Sequence, residues 1–147
     1  MRIRRRGRKI AIQALYELDL TDHPPARVVG ARIEDEEFPQ ESAAFVHHLV
    51  FGVLQHKEYL DSLIHRCAPE WPIDQMAPID RNILRLALFE FIVDGQTPVK
   101  VAINEAVELA KIFGSDSAPR FVNGVLGSLA GENLSITPSQ TQVSPNK

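Results

Sequence analysis

The chain holds one cysteine in 147 residues. Cys67 has no second cysteine to bridge to, which excludes an internal disulfide framework and fits a reducing compartment. No stretch approaches the roughly 20 apolar residues of a membrane span. The segment after the N-terminal basic run is broken by Gln13, Glu17 and Asp19, so it does not read as a secretory signal. That run is Arg-rich and acid-poor, as in a mitochondrial transit peptide, but the helix that follows reads as structural rather than removable. A cytoplasmic protein is expected.

Chemistry-bearing patterns are equally scarce. His23, His47, His48, His56 and His65 include no pair at the i, i+4 spacing of a helical metal site, and one cysteine makes no zinc motif. No metal or cofactor is expected. There is no phosphate-binding glycine loop and no G-x-S-x-G. Asp61 and His65 could hydrogen-bond as i, i+4 neighbours, but no positioned nucleophile accompanies them. Asp35 and Glu36 lie in a charge run that reads as a solvated loop. Nothing demands catalysis, and the chain is not expected to be an enzyme.

What is present is an asymmetry of charge. The formal net charge is −3, yet residues 2 to 9 hold six of the 16 basic residues and no acid. The rest therefore carries ten basic against 19 acidic groups, a balance of −9. A local basic cluster on an acidic body suits a polyanion site. Arg2, Arg4, Arg5, Arg6, Arg8 and Lys9 could neutralise phosphates, and Arg also stacks on bases. The plainer readings are a solvated tail or an address label.

Nearly every apolar segment has helical period, and no strand pattern or repeat competes, so the class is all-α. Ile10, Ala11, Ala14, Leu15 and Leu18 share one helix face, with Arg6, Lys9, Gln13 and Tyr16 opposite. The basic arm thus continues as a polar ridge that ends in a tyrosine. A weak helix follows the DHPP break. A long helix is expected from Ser42 to about Arg66, with Gly52 as a point of doubtful continuity. APEWPIDQMAP is a connector with one turn of helix at most. Asp80 can cap IDRNILRLALFEFIV, which is apolar nearly all round and should be the central buried helix. Asp94-Gly95 ends it. Thr97-Pro98 offers a capping hydroxyl and a proline at the next helix start. Asp116 or Ser117 caps a last helix that Gly131 ends. Residues 1–131 form one domain with a basic arm at 1–9, and 132–147 are expected to be a disordered polar tail.

Two further groups invite a binding role. Aromatics stack on any base, which suits single-stranded nucleic acid. Tyr16 faces away from the core, and Phe121 flanks its helix's apolar arc beside the more outward Arg120 and Asn123; ordinary packing is the competing reading for both. Asp74 and Asp80, with Trp71, Ile73, Met76 and Ile79, could form a docking surface for a basic partner. Alternatively, the connector packs its own tryptophan.

QALYELDL after an Arg-rich start, then IDRNILRLALFEF, then PVKVAINEAVELAKIFGSDSAPRFVNGVLGSLA closely resemble the NusB family of bacterial transcription antitermination factors. The likeness covers nearly the whole chain and is strongest from Pro78 to Ala130. It implies about seven helices in two halves. It also implies binding of the boxA element of nascent RNA together with the ribosomal protein NusE, helping RNA polymerase pass terminators, notably in ribosomal RNA operons. By resemblance, Arg4, Arg5, Arg6 and Arg8 fall on the RNA-contacting start and Tyr16 on the QALY tyrosine. Phe121 and Asn123 fall on the FVNG motif, and Asp74 and Asp80 on acidic positions facing NusE. A homodimer that covers the NusE face is possible.

The chain departs from the family pattern in places. Ser117 stands where an acidic residue is common, and Lys9 where one is frequent; both changes favour phosphate. Asp74 and Asp80 are shorter than the acids usual at the NusE face. Two other classes compete. A ribosomal RNA cytosine methyltransferase with a NusB-like domain would need a cofactor-binding glycine loop and catalytic cysteines that are not here. A protein-interaction module would use the arm only as a non-specific polyanion grip.

Overall fold

The computed structural model describes residues 2–135. Seven α-helices make up these residues: α1 Arg2–Leu20, α2 Pro25–Asp35, α3 Ala43–Gln55, α4 Lys57–Cys67, α5 Pro78–Leu88, α6 Val99–Phe113 and α7 Ala118–Ser135. Short 3-10 turns at Gln40–Ser42 and Ile73–Gln75 lie in the connections, and α5 runs on through a π-helical turn at Phe89–Val93. Helices α1, α2 and α3 pack together as one half, and α4 to α7 as the other. The halves meet where α1 and α3 lie against α5, so they share one core.

The apolar periodicity explains this arrangement, because short helices are held by packing more than by propensity. On α1 the buried arc is wider than the sequence suggests. Ile12 is fully buried alongside Ile10, Ala11, Ala14 and Leu15, because α1 is covered by α2 and α3 on one side and α5 on another. Each of the larger side chains, Ile10, Ile12 and Leu15, stabilises the fold by about 1.5–3 kcal/mol when taken from water. Helix α5 is the buried centre, as expected, with every residue from Asn82 to Leu88 inside.

Several boundaries differ from expectation. The long helix from Ser42 breaks at His56 (φ −110°, ψ 18°), whose ring nitrogen binds the Gly52 carbonyl at 2.9 Å and whose ring packs by Phe89. Gly52 is no break at all. A Cβ there would lie 2.1 Å from the Phe89 ring, so its bare backbone lets α3 approach α5. Asp80 is not the cap of α5; Ala77 is, and Asp80 lies within the first turn. Thr97 does not cap α6, because its hydroxyl donates to Glu90 at 2.8 Å instead. Asp61 turns to Arg85 rather than His65. Helix α7 continues past Gly131 to Ser135. The rest of the expected tail, 136–147, lies outside the described residues.

Two polar networks run through the apolar interior. In one, Arg81 Nε and Asn82 Nδ2 donate to Asp19 at 2.7 and 2.9 Å, while Arg85 grips both oxygens of Asp61 at 2.7 and 3.0 Å. This network ties α1, α4 and α5 together. Burial pushes the Asp19 carboxyl up, but the hydrogen bonds from Arg81 and Asn82, with the charges of Arg81 and Arg85, outweigh it and hold the pKa below the ordinary value. The other network begins in the basic arm.

Candidate nucleic-acid interface

The arm is folded from its second residue, since α1 starts at Arg2. Its arginines divide according to the helix face they occupy. Arg8 stands four residues before Ile12 and seven before Leu15, on the buried side. It is 5% exposed, and its Nε and Nη2 donate to the two carboxylate oxygens of Glu90 at 2.9 and 2.8 Å. The expectation that Arg8 contacts RNA is therefore corrected: a guanidinium enclosed by the core and paired twice offers no surface to a phosphate. Glu90 is completed by the Thr97 hydroxyl, and Glu105 Oε1 lies 3.9 Å from Arg8 Nη1.

Arg5 is intermediate. Its Nε and Nη2 donate to Glu105 at 3.1 and 2.7 Å, yet its side chain stays 55% exposed. The Glu105 hydrogen bonds, then the Glu105 charge, raise the Arg5 pKa above its ordinary value. Arg4 lies over the Phe45 ring at 4.4 Å. Arg6 lies over Phe38 at 5.4 Å and donates to the Glu36 carbonyl at 3.2 Å. Both remain exposed, and among the described residues neither is in an ion pair. Aromatic faces and a carbonyl orient these guanidiniums without cancelling them.

Lys9 is half-buried and Tyr16 is 41% exposed. Lys9 and Tyr16 lie four and eleven residues after Arg5, so the three share one ridge that runs about 16 Å along α1. The Arg5–Glu105 pair ties the head of that ridge to α6, and α6 packs on α7. Arg120 and Asn123 are exposed on the first turns of α7. Phe121 packs partly buried against the core, as the packing reading expects, and it also meets Trp71 edge-on with ring centroids 6.0 Å apart. Trp71 is 56% exposed, so the connector does not bury its own tryptophan. Sequence reasoning placed Trp71 only with the acidic docking residues and missed its pairing with Phe121.

On the connector, Asp74 is exposed in the 3-10 turn. Asp80 is half-buried, and its Oδ1 is enclosed with no hydrogen-bond partner among the described residues. That desolvation pushes its carboxyl above the ordinary value. A buried acceptor left unsatisfied is costly unless something supplies a donor. Among the described residues no three His, Cys, Asp or Glu side chains are placed to hold a metal ion, and no helix is long and apolar enough to cross a membrane.

Known proteins are similar to this chain in sequence and fold. The NusB family model matches residues 5–131. The transcription antitermination protein NusB of Roseiflexus castenholzii is 54% identical over 129 residues, covering 86% of this chain and 91% of that protein. Among solved structures, T. maritima NusB superposes with a TM-score of 0.82 at 29% identity, covering 94% of this chain and 95% of that one. A chain from the crystal structure of antitermination factors NusB and NusE in complex with dsRNA superposes with a TM-score of 0.81 at 28% identity, covering 90% of this chain and 98% of that one. The described residues are helical, as that likeness implies, and the match spans both halves of the fold. By sequence and by structure, the chain belongs to the NusB family.

Proposed function

We propose that this protein is a transcription antitermination factor. It binds the boxA element of nascent RNA together with ribosomal protein NusE, and the assembly helps RNA polymerase read through terminators. The observation that carries this reading is the pre-folded α1 ridge: Arg5, Lys9 and Tyr16 on one face, with exposed Arg4 and Arg6 held over aromatic rings. Backbone phosphates take the cations, and bases stack on Tyr16 and the open part of Phe121. Arg120 and Asn123 extend the same surface. The relatives named as antitermination proteins, and the NusB–NusE–dsRNA complex with the same fold, support this assignment.

Asp74 and Asp80 serve the NusE side. Asp74 offers an exposed charge, and Asp80 stands near it at the start of α5; its Oδ1 is enclosed, so a basic partner side chain would meet only the remainder of this half-buried carboxyl. The protein acts by assembly in the cytoplasm and performs no covalent chemistry. Self-association over the NusE face would compete with that partner.

The test is fluorescence anisotropy of a labelled boxA-type RNA and a scrambled control, titrated with and without the NusE-type partner. Preference for boxA, tightened by the partner, is expected. Equal binding of the two RNAs, even with the partner present, would leave only a protein-interaction module with a generic polyanion grip.

A further inference from the structure

The face of α2 turned toward α3 carries charge opposite to that of the α1 ridge. A cleft of about 480 Å³ opens between the C-terminal end of α2 and the start of α3. Its floor is apolar, made by buried Ile33, Phe38 and Ala43. Its rim carries the exposed carboxylates of Glu34 and Glu37. These belong to a stretch in which Glu34, Asp35, Glu36, Glu37 and Glu41 follow one another without a basic residue. Among the described residues, none of these five carboxylates is in an ion pair. Arg6 lies over the Phe38 ring and donates to the Glu36 carbonyl rather than to a carboxylate, and Arg32 turns to Glu17. Beyond the rim, His47 lines the cleft and stacks on exposed Phe51, with centroids 5.9 Å apart and planes 3° apart.

One residue here is at odds with the helix that holds it. Gly30 lies inside α2 and weakens it relative to alanine. Neither packing nor backbone conformation requires glycine at that position: a Cβ would meet nothing within 4 Å, and its φ is not in the left-handed region. Gly30 lines the cleft, and its missing side chain keeps the cleft open.

We propose that this cleft docks a basic segment of a protein partner. The methylene stem of an arginine or lysine lies along Ile33 and Phe38, its charged head reaches Glu34 and Glu37, and an adjoining apolar residue rests on the His47–Phe51 stack. Long cationic side chains are suited to that division between apolar stem and charged head. The volume falls in the range of about 300–1,000 Å³ that takes a small ligand whole, so it admits a side chain with its neighbours. The rim repels nucleic acid and anionic lipid alike. The carboxylates do not converge as metal ligands do. This inference does not rest on the RNA reading, because it uses carboxylates of the opposite charge; the two surfaces adjoin at Arg6, which lies over Phe38.

The experiment is an NMR titration of the 15N-labelled full chain with the synthetic peptide acetyl-ALRRALRRA-amide, against a control peptide with glutamine for every arginine. Shifts concentrated at Gly30, Ile33, Phe38 and His47 are expected with the arginine peptide alone. Affinity should fall at least tenfold in the Glu34→Gln/Glu37→Gln double variant and in Gly30→Gln, which fills the mouth while favouring the helix. An Asp22→Asn/Glu58→Gln variant, with the same change of charge elsewhere on the exposed surface, should bind the peptide as before. Absence of binding, shifts spread over the surface, or equal loss in the Asp22/Glu58 control would overturn the proposal. So would variants of the cleft that leave peptide binding intact but alter boxA-type RNA affinity, since the cleft would then belong to the RNA face.

Discussion

Arg8 and Lys9 are neighbours in the chain and belong to two different regions of the molecule. Arg8 lies on the inner face of α1, locked to Glu90 and close to Glu105. Lys9 lies on the outer ridge with Arg5 and Tyr16. A basic arm therefore does two jobs at once. Its inner face anchors the helix in the core, and its outer face presents charge that is already ordered. An arm that folded only on meeting RNA would lose binding energy to ordering; one docked beforehand does not.

The sharpest way to break this contrast is to remove each side chain in turn. Arg8→Ala leaves Glu90 buried without its counter-charge, and breaking a buried pair in this way costs about 3–5 kcal/mol of stability. Lys9→Ala should stay within about 0.5 kcal/mol, as surface changes do. Urea unfolding of the two variants measures both. If Arg8→Ala unfolds like the wild type but loses RNA affinity, Arg8 faces outward and the division fails.

The inner face was partly legible in the sequence. The all-α class, the central burial of α5 and the exposed ridge follow from periodicity. The burial of Arg8 was also readable, because it shares a face with Ile12 and Leu15, but its positive charge argued for the surface more loudly than its position argued for the core. Arg85 and Glu90 carried a similar signal. Charges on a helix that is apolar all round need buried partners. Which partners they take, Asp61 for one and Arg8 for the other, is a tertiary fact separated by 24 and 82 residues and has no local signature. The caps expected of Asp80 and Thr97 failed for a related reason: Asp80 falls past the cap position, and Thr97 is recruited by Glu90.

Next in size are the aromatics. Tyr16→Ala should cost about 1–3 kcal/mol of RNA affinity if a base stacks there, with little change in stability. Phe121→Ala should lower both, because Phe121 packs on the core as well as meeting Trp71. Anisotropy and thermal melts on the same samples separate the two effects. Loss of stability alone at Phe121 would move it wholly to the inner region.

Salt dependence sharpens the outer face further. Each cation that contacts a phosphate of single-stranded RNA contributes about −0.7 to the slope of log affinity against log salt. Arg4→Gln, Arg6→Gln and Lys9→Gln should each flatten the slope by about that amount. Arg5→Gln should flatten it less, because Glu105 already competes for Arg5. An equal effect at Arg5 would mean that the Glu105 pair opens fully when RNA binds.

Carboxylates repeat the contrast at the other end of the shared core. Asp19 is satisfied and its pKa is lowered, so its contribution is present above the ordinary Asp value of about 3.9 and is lost as pH falls through the folded value. Asp80 is the reverse. Its folded pKa is raised, so the folded state holds the proton more tightly, and stability falls as pH rises from about 3.9 through the raised value. Urea midpoints of the wild type and Asp80→Asn across that range should therefore diverge, with the variant relatively more stable at neutral pH. Parallel curves would mean that the Asp80 carboxylate is solvated after all.

The smallest effect expected is at Ser117, exposed just before α7. A carboxylate there would stand three residues from Arg120, near the surface assigned to RNA. Ser117→Asp should weaken boxA binding modestly, and more at low salt than at high salt, because exposed charges act through a screened field. It should not change the unfolding midpoint, since Ser117 is exposed and its hydroxyl meets the equally exposed Ser115 hydroxyl at 3.4 Å. An unchanged affinity at low salt would place Ser117 outside the reach of RNA. The boundary of the outer region would then fall between Ser117 and Arg120, and the tighter grip expected from a missing acid at that position would have to come from Lys9 alone.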